Sequence, residues 1–270
     1  LRRSVRVEGA VERGRHELRV VVPELRLGPA DGPVRQRAGL ATPRISTASG
    51  GSREPPGNAR AVVLVLRSEQ AAEIGIDNLE HGLLPDSEFV PDKKPDQCPG
   101  AAVNASLRQL DINSEPAKET IRILVAKHVA ITSTLPVFEA GAPLSQKGIG
   151  AASAVLNPRV LSVMNNDARV RYLTNRSRIA ADSPTALLVR KSMDFERAFV
   201  AAGGLLIAGL DPTGNGGIVA GFGDLREVEL LVEAGFTPLE AIKIASFNGA
   251  KFLGEDARIG SIAPGKQADL

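Results

Sequence analysis

In Ser68-Glu-Gln-Ala-Ala-Glu-Ile-Gly-Ile-Asp-Asn-Leu-Glu-His-Gly82 a helical pattern gives way to an extended one across a single glycine. Ser68 can cap the helix, Glu69 suits its positive end, and Ala71, Ala72 and Ile74 give it an apolar face. Gly75 is placed to end it. Ile76 to Glu80 then reads as a strand that stops at His81 and Gly82.

The same alternation extends in both directions. Upstream, Ala61 to Leu66 is a continuous, β-branched apolar run that suits a strand buried on both faces. Downstream, Ser114 to Ala126 carries Ala117, Ile121, Leu124 and Val125 at helical spacing and leads into a strand from Val129 to Thr134. Met193 to Ala202 predicts another helix, Gly203-Gly204 breaks it, and Leu205 to Ala208 predicts a buried strand that delivers Asp211 to a loop. Asp224 and Glu227 form a capping pattern ahead of Leu225, Val228, Leu231 and Val232, with Gly235 at the stop. Thr237-Pro238-Leu239-Glu240 opens a further helix with cap, proline and reciprocal glutamate. The closing Ile259 to Ile262 reads as a short strand, and Pro264-Gly265-Lys266 as a turn. Repeated strand and helix units imply an α/β protein whose parallel sheet has helices outside, either a barrel or a doubly wound sheet.

The 270 residues are 43% apolar, enough for a sizeable core. Cys98 is the only cysteine, which excludes an intrachain disulfide and makes a cytoplasmic setting the expectation. Ala198 to Leu210 is too short to span a bilayer, and the arginine-bearing amino end lacks the apolar core of a signal peptide, so no membrane partner is expected. Leu1 and Leu270 read as cuts rather than natural termini. Residues 1–60 hold twelve arginines, no lysine and six acids, about +6, whereas the remainder holds 21 bases and 25 acids, about −4. All eight phenylalanines and Tyr172 fall after residue 60. Residues 1–60 are therefore expected as a separate Arg/Gly/Pro-rich segment. A basic arm that contacts nucleic acid or an acidic partner is one reading of them, but the arginines are spread out and no aromatics interleave to stack on bases, so an extension without a nucleic-acid partner is the expectation.

Three histidines are present. His16 reads as a solvated side chain, and His128, ahead of a strand, belongs to the end of a parallel sheet that does not build sites. His81 ends a strand, where sites are built, and its imidazole suits zinc; a capping or core histidine is the ordinary alternative. Asp211 stands just past a buried strand in the same way, in Ala208-Gly-Leu-Asp-Pro-Thr-Gly-Asn-Gly-Gly217. A carboxylate there can bind a divalent metal and accept a proton from attacking water, although a loop-capping aspartate is common. Glycines beyond it leave backbone N–H groups open to a substrate.

Asn78-Leu-Glu-His-Gly82, Thr132-Ser-Thr-Leu-Pro136, Gly209-Leu-Asp-Pro-Thr-Gly214 and Val232-Glu-Ala-Gly-Phe-Thr-Pro-Leu-Glu-Ala241 resemble, in this order, the amidohydrolase superfamily in its imidazolonepropionase-like and prolidase-like branch. Ser246-Phe-Asn-Gly-Ala250 and Ile259 to Asp269 resemble its closing signature. The resemblance implies that residues 61–270 are part of a TIM-type (βα)8 barrel, strands 5 or 6 to 8, with the start of a C-terminal β-sandwich strand. It further implies His81 as the sixth-strand metal ligand, Asp211 as the eighth-strand ligand and general base, and Gly214 and Asn215 as substrate contacts. The implied cofactor is one or two divalent metal ions, zinc first. The implied partner is a small amide substrate, cyclic, N-acyl or dipeptide-like.

The departures are specific. The His-x-His pair, the lysine or glutamate ligand and the fifth-strand histidine of that family are not found, and Leu210 stands where a threonine is usual. The alternative is a catalytically incomplete remnant acting as an interaction protein, whose unpaired sheet edges would favour homo-oligomers. A frame shift upstream of residue 68 would account for the lost motifs and the arginine excess together. Translating the encoding gene in its other frames checks this, and finding no His-x-His there counts against it.

Overall fold

The computed structural model describes residues 66–94, 97, 99–145, 147–150, 158–212 and 218–267. Of the strand expected at residues 61–66 only Leu66 is described, in a bend, and the boundary at residue 60, His16, Gly214 and Asn215 lie outside the described residues. Three strands, β1 (Asn78–Glu80), β2 (Ala130–Ser133) and β3 (Leu206–Ala208), form one parallel sheet in the order β1-β2-β3. Helix α1 (Ser68–Glu73) precedes β1, and α2 (Ala101–Gln109) and α3 (Glu115–Ala126) lead to β2. Between β2 and β3 lie α4 (Leu135–Glu139), α5 (Pro158–Val163), α6 (Asn166–Ser177) and α7 (Thr185–Ala201). After β3 come α8 (Phe222–Ala234), α9 (Pro238–Ala245) and α10 (Phe247–Phe252). No helix among the described residues is long and apolar enough to cross a membrane.

The register explains how the sheet has two unlike faces. Leu79 pairs with Ile131, and Ile131 with Leu206, so one row of apolar side chains crosses all three strands. Each of the three is at most 2% exposed, in one cluster with Leu124 of α3, Met193 and Phe199 of α7, and Leu230 of α8. Burying each such side chain contributes roughly 1.5–3 kcal/mol. The two-residue period of a strand then turns Asn78, Glu80 and Thr132 to the opposite face.

Helix ends follow the local chemistry closely. Helix α3 has Ser114 at its N-cap and Pro116 in its first turn. It closes when the Val129 N–H reaches Leu124 O, with His128 left-handed between them. Helix α7 closes the same way, as Gly203 takes φ 95° and the Gly204 N–H bonds to Phe199 O. A Cβ on Gly204 would fall 2.3 Å from the Phe199 ring, so the chain can turn there only on glycine. Helix α9 forms as the sequence predicts, with Thr237 Oγ1 accepting from Glu240 N and the Glu240 carboxylate accepting from Thr237 N.

Four expectations are corrected. The cap of α1 is Arg67, whose N–H reaches the Gln70 side chain, and Ser68 is its first residue. Helix α7 begins eight residues before Met193, because its buried face includes Ser192 and Glu196, and these polar residues interrupt the apolar period. Asp224 is the third residue of α8 and accepts from the N–H of Gly221, while Glu227 points inward and is buried. Ile259 to Ile262 is not a strand, since no described strand offers it a ladder. Its chain instead folds back through Gln267 N to Arg258 O, with the expected turn at Pro264-Gly265.

Candidate active site

All three strands end at one rim. Pairing continues one residue past each neighbour, with His81 N donating to Thr132 O at 3.0 Å and Gly209 N to Ser133 O at 2.8 Å. Beyond these bonds the backbone turns sharply, and both His81 (φ 72°) and Asp211 (φ 49°) occupy the left-handed region. That conformation costs a non-glycine residue about 1–2 kcal/mol, although aspartate and histidine tolerate it better than most.

The turns bring the two side chains together. His81 Nε2 lies 3.8 Å from Asp211 Oδ2, with His81 8% and Asp211 21% exposed. On the other side of the ring, Nδ1 is 2.8 Å from Thr134 Oγ1, and the ring meets Phe138 edge-on at 5.8 Å between centroids. His81, expected at a strand end, and Asp211, expected in the loop after another, therefore share one rim. His128 lies at the opposite end of β2, exposed, in its helix-closing role.

The polar face of the sheet runs into this rim. Asn78 Nδ2 donates to Glu80 Oε1 at 2.7 Å and to Thr132 Oγ1 at 2.8 Å. Burial raises the Glu80 carboxyl above its ordinary range and the nearby Asp211 charge pushes the same way, against the hydrogen bonds of Thr132 and Asn78. Gly209 keeps this face open, since a Cβ there would come within 2.8 Å of Thr132 Cγ2. Glu80, Thr132 and Thr134 stand inside two of the motifs that carry the resemblance, which implies no role for them. The signal that could have found them is the period-two spacing that turns Thr132 and Thr134 to the same side at a strand's carboxyl end. Leu210, where the resemblance leads one to expect a threonine, is 8% exposed and packs against Gly223 at the start of α8, away from the polar row.

Beneath the rim a second polar layer supports it. Glu196 of α7 is fully buried, accepting from Ser133 Oγ at 3.0 Å and Ser192 Oγ at 3.4 Å, and its Oε1 stands 3.2 Å from where a Cβ on Gly82 would lie. Burial, then the charge of Glu227, raises its carboxyl well above the ordinary range. Burial likewise pushes Glu227 up to about 8.

The donor chemistry of the rim suits a divalent metal. Two ligands at ordinary zinc bond lengths stand about 3.4 Å apart around a tetrahedral ion, and the observed 3.8 Å lies within a few tenths of that. The pair thus fits as two ligands of one ion. Among the described residues, no cluster of three or more histidine, cysteine, aspartate and glutamate side chains completes a shell.

Comparison with curated protein sequences finds no match. Among solved structures, a prolidase complexed with N-methylphosphonate-L-proline is similar at 16% identity and TM-score 0.39, covering 78% of this chain and 35% of that one. A Xaa-Pro dipeptidase with bound methionine is similar at 17% identity and TM-score 0.39, covering 75% and 35%. An amidohydrolase is similar at 15% identity and TM-score 0.34, covering 86% and 58%. The chain spans about a third of the length of the first two. The profile of the Amidohydrolase family matches residues 117–270, a stretch that includes Asp211 and begins after His81. With more than half of its length matched in this way, the chain belongs to the amidohydrolase family.

Proposed function

We propose that residues 61–270 are the carboxyl-side part of a (βα)8-barrel hydrolase that cleaves a carbon–nitrogen bond in a small cyclic amide, N-acyl or dipeptide-like substrate. The observation that carries this reading is the 3.8 Å approach of His81 Nε2 to Asp211 Oδ2 at one rim of a parallel sheet, where such folds build their sites. The strands follow chain order without reversal, as neighbouring strands of a barrel do. His81 and Asp211 would hold a divalent metal, zinc first. Such an ion supplies Lewis acidity that polarises the amide carbonyl and makes water acidic at neutral pH. Asp211 takes the proton of the attacking water and passes it to the leaving nitrogen. Gly214 and Asn215 then contact the substrate.

A second reading is favoured by one observation, the want of a third donor among the described residues. In it the chain is an incomplete amidohydrolase that acts as an interaction protein and forms homo-oligomers. Two protein ligands hold zinc weakly compared with the three or four of lasting sites. Metal content of the purified chain separates the two. Stoichiometric zinc that is lost in His81→Ala and Asp211→Asn supports the hydrolase, and a metal-free chain that takes up no added zinc supports the remnant.

A further inference from the structure

Thr134 stands at the N-cap of α4, where a threonine hydroxyl ordinarily accepts from the N–H of the second or third helical residue. Here it does not. The second residue is Pro136, which has no N–H, and the Val137 N–H bonds to the Thr134 carbonyl instead. The hydroxyl turns away from the helix to His81 Nδ1 at 2.8 Å, in a setting where Thr134 is 3% and His81 8% exposed. A cap that gives up its helical partner for a ring nitrogen is unlike capping chemistry.

His81 has two further contacts with this corner. The ring and Phe138, one turn along the helix that Thr134 caps, meet edge-on, and the His81 backbone N–H donates to Thr132 O on β2, which ends at Ser133. The same β2-α4 corner therefore holds His81 at backbone, ring and Nδ1. With Nδ1 turned to Thr134, Nε2 is the nitrogen presented to Asp211.

We propose that Thr134 is a positioning residue for His81: by accepting the Nδ1 proton it selects the tautomer in which Nε2 carries the lone pair on the side of Asp211. This rests on the reading of His81 and Asp211 as metal ligands. In such sites the partner of the distal nitrogen sets tautomer and ring orientation, and its loss costs roughly 10–100-fold in metal affinity. The carboxylate opposite is also the reason a selector is needed, since its charge favours a proton on Nε2.

The test has two independent readouts on the full chain. The first is the His81 ring tautomer, read by long-range 15N–1H correlation without added metal, the His81 signals being those missing from His81→Gln. The second is zinc affinity, measured by competition with a chromophoric chelator. In the wild type and in Thr134→Ser the Nδ1–H form dominates. In Thr134→Val, which keeps the shape and loses the hydroxyl, the Nε2–H form gains and zinc affinity falls about 10–100-fold, while the thermal midpoint stays close to that of Thr134→Ser. Equal tautomer populations in wild type and Thr134→Val overturn the proposal. A tautomer change in Thr134→Val, in a chain that binds no zinc in any form, upholds the positioning role and removes the metal reading instead.

Discussion

Among the described residues, positive φ at a non-glycine position occurs at His81, Asp92, His128 and Asp211. His128 has a local reason, as the left-handed residue that closes α3. His81 and Asp211 follow strands, and glycine would hold the same backbone without strain. Both residues hold this strained backbone where their side chains face one another at 3.8 Å. Asp211→Gly is therefore expected to be more stable than Asp211→Ala by about 1 kcal/mol, read as a higher urea midpoint. Equal midpoints would show that the turn relaxes and that no strain is stored. The places of these two residues were legible in the sequence, His81 because it ends an expected strand ahead of Gly82 and Asp211 because it follows the apolar run from Leu205 to Ala208. Thr134 and Glu80 were not. Their roles depend on contacts 53 residues away for Thr134 and on the proximity of Asp211 for Glu80, neither of which appears in local spacing.

Elements with local punctuation matched their sequence signals best. Helix α9 carries its whole start signal in Thr237, Pro238 and Glu240, so Thr237→Ala should cost about 1 kcal/mol with little change in denaturant slope. Full stability in that variant would mean that packing of Ala241 and Ile244, not the cap, fixes the helix start. Helix α4 shows the opposite case. Its five residues have no helical period to read, and it is held by Glu139, whose carboxylate takes two bonds from the Arg226 guanidinium of α8 at 2.7 and 3.0 Å. Burial opposes the charge of Arg226, but the bonds it donates to Glu139 and Glu233 outweigh it and raise its pKa. With both partners of the pair at most 8% exposed, Arg226→Met leaves the Glu139 carboxylate without its cation, at a cost of about 3–5 kcal/mol. Adding Glu139→Met to Arg226→Met should restore much of that loss. A double variant no better than Arg226→Met in chemical denaturation would count against the pair as the tie between α4 and α8. An ion pair across 87 residues of sequence has no local signature, which is why α4 went unread.

At the scale of the whole molecule, the carboxyls beneath the sheet make stability depend on pH in a direction opposite to ordinary acid denaturation. Glu196 of α7 and Glu227 of α8 are at most 2% exposed, and Asp86 lies equally deep near the start of α1. Burial is the first cause in each case. It lifts Glu196 well above 4.5, Glu227 to about 8 and Asp86 to about 7, and the Glu139 charge adds to Glu227 while Arg226 partly opposes it. In the unfolded chain all three titrate near their ordinary values, 4.5 for the glutamates and 3.8 for the aspartate. Between those values and the raised ones the folded state binds more protons than the unfolded, so unfolding free energy falls as pH rises. For Asp86 and Glu227 the contribution is fully present below their ordinary values and is lost as the pH rises through about 7 and about 8; Glu196 loses its share in the same direction, above its ordinary 4.5. The lowered Glu240 at the α9 cap acts the other way, but its effect lies below pH 4.5, whereas Glu69 and Glu80, both raised first by burial, act in the same direction as the three buried acids. Urea midpoints are therefore expected to decline from pH 5 to 8.5, with a shallower decline in Glu196→Gln and Glu227→Gln, whose amides stay neutral throughout. A wild-type midpoint that is flat or rises over that range would mean the two carboxyls ionise in the folded chain as readily as in water. The layer under His81-Gly82 would then be hydrated rather than closed.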